Sequence, residues 1–276
     1  MNFVLGLGVW MSVLVAGFAT VNVQILKSIS EEKCEHYYSS GNKENDKPDG
    51  SRFPYMAAVG WSNENGTISY RCGGILIDPK YVIGLAHCIL RKQPSHILLG
   101  SQELPLSATL DNGIPIKNIS VHPGYEKGGV YHDILIYELE NEVRNRPACL
   151  WNRDSIPDSE IFSLLYSVED EKNAKLLRIQ NQLYPNDQCL DFYGKYARLS
   201  MGIMESQLCA AELNHTSCQL PSVRGPLIMQ EQQPGSLIPY VIGTASFGMP
   251  CGRDSMPTVY TKISAYTNWI ESNIWA

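Results

Sequence analysis

Eight cysteines, an even number, follow an apolar N-terminal stretch in a chain of 276 residues, and that pairing constrains the fold more than any other feature. Apolar residues run from about Phe3 to Phe18 and end in Gly17-Phe18-Ala19. Small residues at the last and third-last positions suit signal peptidase, so residues 1–19 are expected to be a signal peptide. The mature chain is then secreted, extracellular and exposed to oxidising conditions, where paired cysteines form a disulfide framework. The stretch is short for a membrane span, and no second apolar run of spanning length follows. The competing reading of the same stretch is a membrane anchor; after signal removal no membrane association is expected. No Cys-x-x-Cys pair occurs, so no metal site and no cofactor are expected.

Beyond the leader, short apolar runs alternate with Gly, Pro, Asn and Asp, the punctuation of an all-β barrel. Examples are Phe53-Pro54-Tyr55-Met56-Ala57-Ala58-Val59-Gly60-Trp61 and Tyr81-Val82-Ile83-Gly84. Residues 20–51 read as a polar, loop-like leader whose single anchor is Cys34. Near the other end, Ser264 is placed to cap a terminal helix with Tyr266, Trp269, Ile270 and Ile274 on its apolar face. A net charge of −6 gives no reason to expect nucleic acid or an anionic membrane as a partner. Three glycosylation sequons begin at Asn65, Asn118 and Asn214, which suits a secreted glycoprotein.

Several short motifs occur in a fixed order. They are Gly73-Gly74-Ile75-Leu76, Ala86-His87-Cys88, His132-Asp133-Ile134, Arg146-Pro147-Ala148-Cys149-Leu150, Gln207-Leu208-Cys209-Ala210 and Val259-Tyr260-Thr261, with Cys218 to Leu227 between the last two. Together they resemble the chymotrypsin/trypsin-like serine proteases, and arthropod members in particular, from Phe53 to the end. The resemblance implies two six-stranded antiparallel β-barrels with the active site between them and a C-terminal α-helix. The domain then covers 52–276, with an N-terminal barrel at about 52–150 and a C-terminal barrel and helix at about 151–276. The six-cysteine clip module of many arthropod members is absent from this reading, because too few cysteines are available.

By the same resemblance, His87 matches the general base and Asp133 the carboxylate that holds the imidazole tautomer. Ser246 matches a residue that supports that carboxylate, and Ser246-Phe247-Gly248 matches the strand that lines the substrate. The nucleophile loop departs from the pattern Cys-Gln-Gly-Asp-Ser-Gly-Gly-Pro-Leu. Here it reads Cys218-Gln219-Leu220-Pro221-Ser222-Val223-Arg224-Gly225-Pro226-Leu227, one residue longer. Counted from Cys218, Ser222 falls on the nucleophile and Pro221 on the Asp before it. Counted back from Gly225-Pro226, Val223 falls on the nucleophile and Ser222 on the Asp. Neither register restores a serine on a tight turn with amides aimed at an oxyanion. No Ile-Val-Gly-Gly lies between Cys34 and Phe53, so both halves of the family's activating ion pair are missing. The pocket-bottom position is Thr216, which is neutral, and Thr258 stands where the family has glycine. A shallow or filled pocket is expected.

Family matching pairs Cys72 with Cys88, Cys189 with Cys209 and Cys218 with Cys251. The remaining Cys34 and Cys149 match the link that tethers a propeptide to the protease domain; an intermolecular bridge through Cys34 is the alternative. The resemblance as a whole implies a serine protease homologue without catalysis, one that binds extracellular proteins such as proteases or their substrates and regulates a protease cascade. Two rivals stand beside it: an active endopeptidase using Ser222 in a remodelled loop, and a growth-factor-like ligand.

Overall fold

Strands form where β-branched and aromatic residues alternate or run uninterrupted between turn residues. The computed structural model describes residues 27–39, 52–105, 108–109, 113–168, 173–194, 196–213, 222–233, 236–248 and 256–275. Among them are fifteen strands in two sheets. Strands β1 (Met56–Ser62), β2 (Thr67–Asp78), β3 (Tyr81–Gly84) and β4 (His96–Leu99) belong to the first sheet. So do β7 (Ile114–Val121) and β8 (Leu135–Leu139), and the short β6 (Ala108–Thr109), which lies against β2. Because β1 pairs with both β4 and β2, the order β1-β4-β7-β8-β3-β2 closes into a six-stranded antiparallel barrel.

The second barrel repeats the design. Its strands are β10 (Ile161–Val168), β11 (Asn173–Tyr184), β12 (Gln207–Glu212), β13 (Ser222–Gln233), β14 (Ser236–Phe247) and β15 (Thr258–Lys262). They close in the order β10-β13-β14-β15-β12-β11 through the β10–β11 pairing. Two strands from the first half of the chain join this sheet. The strand β5 (Glu103–Pro105) pairs with β11, and β9 (Cys149–Leu150) pairs with β14 in parallel. The sheet boundary therefore does not follow the chain midpoint.

One core cluster runs through both barrels. Met56, Ile75, Leu76, Ile83 and Tyr137 of the first meet Phe162, Tyr166, Ile228 and Val241 of the second, and Tyr266 and Ile270 of the C-terminus join them. A smaller cluster around Trp151, Leu227, Met229, Ile242 and Tyr260 fills the second barrel. The strand β2 records this geometry in its burial. It alternates in its first half, then is buried continuously from Gly73 to Ile77, where water is excluded from both faces.

Two expectations need correction. The leader is not loop throughout: Ile29–Tyr38 forms a helix, α1. Ser28 accepts from the Glu31 amide while Glu31 reaches back to the Ser28 amide, a reciprocal cap that periodicity does not reveal. Docking supplies the rest. Cys34 is joined to Cys149 with the Cα atoms 5.2 Å apart. Tyr37 donates to Asp78 at 2.9 Å, Tyr38 to the Pro147 carbonyl at 2.8 Å, and the Ser30 amide to Glu271 at 2.9 Å. Burial pushes the Tyr37 phenol well above its ordinary pKa, with Asp78 adding to the effect, so it stays a donor.

The second correction concerns Ser264. It lies in a 3-10 turn, Ile263–Tyr266, and does not cap the following helix α3 (Thr267–Ile274), whose N-cap is Tyr266. The Ser264 hydroxyl is buried without a partner. The expected apolar face is oriented inward: Tyr266 and Ile270 are buried, and Trp269 and Ile274 pack against the core cluster shared by the two barrels.

The Cys34–Cys149 bridge spans 115 residues of sequence, so cutting it frees a large loop in the unfolded chain. The double variant Cys34→Ser, Cys149→Ser is expected to lose about 2–4 kcal/mol in urea unfolding. Limited proteolysis should then cut within α1 first, and non-reducing peptide mapping of the unaltered protein should recover a Cys34–Cys149 peptide.

Candidate active site

A short 3-10 turn, Ala86–Ile89, carries His87 at the end of β3, and no side chain caps it. Its rigidity comes from covalent chemistry: Cys88 is bonded to Cys72 of β2, Cα to Cα 6.4 Å. These sulfurs lie close to the His87 ring, but joined in a disulfide they offer no thiolate to a metal. Asp133 comes from the segment before β8 and is 1% exposed. A buried carboxylate is costly unless its lone pairs are satisfied, and here they are. Oδ1 accepts from the His87 amide at 2.9 Å; Oδ2 faces His87 Nδ1 at 2.7 Å and accepts from Ser246 Oγ at 2.6 Å. The Asp133 carbonyl accepts from Thr261 Oγ1 at 3.0 Å.

His132 helps to aim this carboxylate. Its φ is 53°, a left-handed conformation costly for a residue with a Cβ. Contacts hold it there: Nδ1 meets the Tyr266 hydroxyl at 3.1 Å, and the ring stacks on His122 at 5.0 Å. With Nδ1–H committed to Asp133, neutral His87 has Nε2 as its basic nitrogen. Burial would push the His87 pKa down; the hydrogen bond to Asp133 and the Asp133 charge outweigh it and hold the pKa above the ordinary value. The His87 side chain is 37% exposed, so water reaches the ring. His87, Asp133 and Ser246, expected from the sequence to share one site, are brought by the fold into a single hydrogen-bonded cluster.

The nucleophile segment is arranged differently. Ser222 is the first residue of β13 and pairs with Ser167 of β10. Val223 pairs with Tyr166 and Arg224 with Leu165, so backbone from Ser222 to Arg224 is ladder rather than turn. Val223 packs against the main core and carries no proton that a base could take. On the other side β13 meets β2. A Cβ on Gly73 would lie 2.3 Å from the Arg224 carbonyl oxygen and 2.7 Å from Gly225 Cα, so glycine at 73 is a requirement of this contact.

Beside the ladder, Arg224 Nη1 donates to Thr258 Oγ1 at 2.5 Å, and Gly248 lies against both groups. Arg224 is the residue that sequence reasoning missed. Its signal was its place directly before Gly225-Pro226, where the nucleophile-loop pattern has glycine. Elsewhere, Cys189 and Cys209 are bonded, Cα to Cα 6.3 Å. Asn65 is exposed in the β1–β2 turn and Asn118 is exposed on β7. Leu220, Pro221, Thr216, Asn214, the Cys218–Cys251 pairing and residues 1–19 lie outside the described residues, as does the side chain of Ser222.

A family model described as Trypsin matches residues 42–270. The chain belongs to the trypsin family. Among curated trypsin-family proteins, Serine protease snk from Drosophila melanogaster is 33% identical over 236 residues, covering 79% of this chain and 53% of that protein. Serine protease Hayan, also from Drosophila melanogaster, is 29% identical and covers 92% of this chain and 43% of its own length. The chain thus spans about half the length of these two relatives. The structure of the Drosophila Grass clip serine protease of the Toll pathway aligns with a TM-score of 0.63 at 23% identity, over 83% of this chain and 70% of that one. Mouse neuropsin aligns at 0.59 and 24% identity, over 81% and 95%. Both show the trypsin-family two-barrel fold.

The His87–Asp133 pair makes a pH prediction. The folded pKa of His87 is raised, so the pair's stabilising contribution is complete below the ordinary value of about 6.5 and fades as pH rises through the folded pKa. Asp133→Asn removes the charge and leaves the burial, so the His87 Hε1 resonance of that variant should titrate below about 6.5, against above it in the unaltered protein. The difference in urea midpoint between the two proteins should shrink correspondingly as pH rises.

Proposed function

We propose that this chain is a secreted, non-catalytic member of the trypsin family that works by binding other extracellular proteins, as a regulator or cofactor in a protease cascade. The observation that carries the reading is the strand from Ser222 to Arg224. Acyl transfer needs a hydroxyl on a turn beside the base and amides aimed at the developing oxyanion. A ladder commits backbone to cross-strand bonds and places alternate side chains on opposite faces, which supports counting the loop back from Gly225-Pro226. In that register Val223 holds the nucleophile's place. A His–Asp pair without a nucleophile has no acyl-transfer chemistry to perform, and in a related triad loss of the serine costs roughly 10⁶ in rate.

Other features support the binding role. The helix α1 stays clamped on the domain by Cys34–Cys149, with no Ile-Val-Gly-Gly site behind it whose cleavage would switch the domain on. Among the described residues no helix is long and apolar enough to cross a membrane. Relatives carry names drawn from proteolytic activation, including Phenoloxidase-activating factor 3 of Holotrichia diomphalia, 28% identical over 247 residues.

The test is chemical. A fluorophosphonate probe should leave the recombinant protein unlabelled, whereas stoichiometric modification of Ser222 would defeat the proposal. Replacing Gln219–Arg224 with Gln-Gly-Asp-Ser-Gly should also fail to give efficient turnover of a small ester. The new Asp lacks an ammonium partner, and one lost oxyanion donor is typically worth about 10²–10³ in rate. Substantial turnover is expected only when a cleavable Arg-Ile-Val-Gly-Gly is added ahead of Phe53 and cut. Family-like turnover from the loop replacement alone would contradict the missing-switch part of the account.

A further inference from the structure

The pocket beside the candidate active site is bounded by strands that also hold Arg224, and the side chain's position there has no role in the cluster around Asp133. Three observations converge on it. The guanidinium donates to Thr258, a residue only 8% exposed. Gly248 is packed on the same groups: a Cβ added there would lie 3.0 Å from Arg224 Nη1 and 3.1 Å from Thr258 Oγ1. Arg224 also borders a cavity of about 10 Å³, lined with Glu212, Tyr260, Ser163, Leu165 and Ala245 among others and too small for any side chain.

We propose that Arg224 fills the Thr258–Gly248 side of the primary specificity pocket from within, as a cationic occupant in cis held by Thr258, with the Glu212 carboxylate bordering the adjoining cavity as the charge that would receive a cation there. The site has the chemistry of a guanidinium or amidinium receptor, and the chain supplies its own ligand. The backbone leaves little freedom for an alternative. Arg224 is fixed between the ladder to Leu165 and the close approach of Gly73, so its side chain starts at the pocket wall. The buried Tyr260 phenol responds to both charges. Burial pushes it up to about 12, the Arg224 charge opposes that rise, and the Glu212 charge adds to it.

The occupancy has a functional consequence. A partner segment cannot anchor by inserting a side chain into this pocket, so partners are held by another surface. Thr258 is explained as well. Where glycine would leave an open slot, the threonine hydroxyl serves as the acceptor that satisfies a half-buried guanidinium.

The occlusion is tested by binding and by side-chain reactivity, so its outcome is independent of whether the loop supports turnover. In the unaltered protein, phenylglyoxal followed by peptide mapping should modify Arg224 at least about tenfold more slowly than the exposed Arg71 and Arg91. Equal rates would overturn the proposal. The fluorescent probe p-aminobenzamidine should show no saturable binding to the unaltered protein or to Arg224→Met, which keeps the pocket filled. Arg224→Ala should bind it saturably, at least about tenfold more tightly, and adding Glu212→Gln should remove that gain. Binding by the unaltered protein equal to that of Arg224→Ala, or no binding by a folded Arg224→Ala, would overturn the proposal; a gain unaffected by Glu212→Gln would overturn the role of Glu212. If Arg224→Ala does not fold, the modification rates decide.

Discussion

The two barrels meet backbone to backbone where Gly73 of β2 touches Arg224 and Gly225 of β13. No side chain fits between them, so that contact sets how closely the barrels approach. Much of the rest follows from it. The buried stretch of β2, the shared core through Met56, Phe162 and Tyr166, and the direction taken by the Arg224 side chain all depend on this approach. The same contact pins the segment where a nucleophile turn would need room. With β13 laddered to β10 on one edge and pressed against β2, the segment from Ser222 to Arg224 has become part of the scaffold.

Asp133 is the polar counterpart of that contact. Its carboxylate and carbonyl collect donors from His87 on the first barrel and from Ser246 and Thr261 on the second. A buried carboxylate needs these partners whether or not the site turns over, and losing one of them leaves the others poorly compensated. The pair therefore has a structural role that is independent of turnover. Its hydrogen bonds tie the first barrel to the second. Arg224 and Thr258 repeat the principle at the pocket: a charged group enters a confined space and is met by a hydroxyl.

Legibility in the sequence followed the locality of each signal. The two barrels and the His87, Asp133, Ser246 cluster were readable because short motifs fix local backbone at each point and the fold assembles them. The helix α1 was not, because it rests on a reciprocal cap at Ser28 and on distant contacts from Tyr37 to Asp78 and from Ser30 to Glu271. The Ser264 cap failed because Ile263–Tyr266 tightens into a 3-10 turn whose Tyr266 is drawn into the core. Arg224 was invisible as a pocket occupant since its role depends on strand register. Thr258 alone, read as a branched residue in place of glycine, pointed toward a narrowed pocket without saying what narrowed it.

The central claim is that strand has replaced the nucleophile turn, and nuclear Overhauser contacts in selectively labelled protein test it most directly. The account predicts cross-strand backbone contacts between Val223 and Tyr166 and between Arg224 and Leu165, with none from the Ser222 methylene to the His87 ring. Contacts from Ser222 to His87, together with loss of the Val223–Tyr166 contact, would put a hydroxyl beside the base and contradict it.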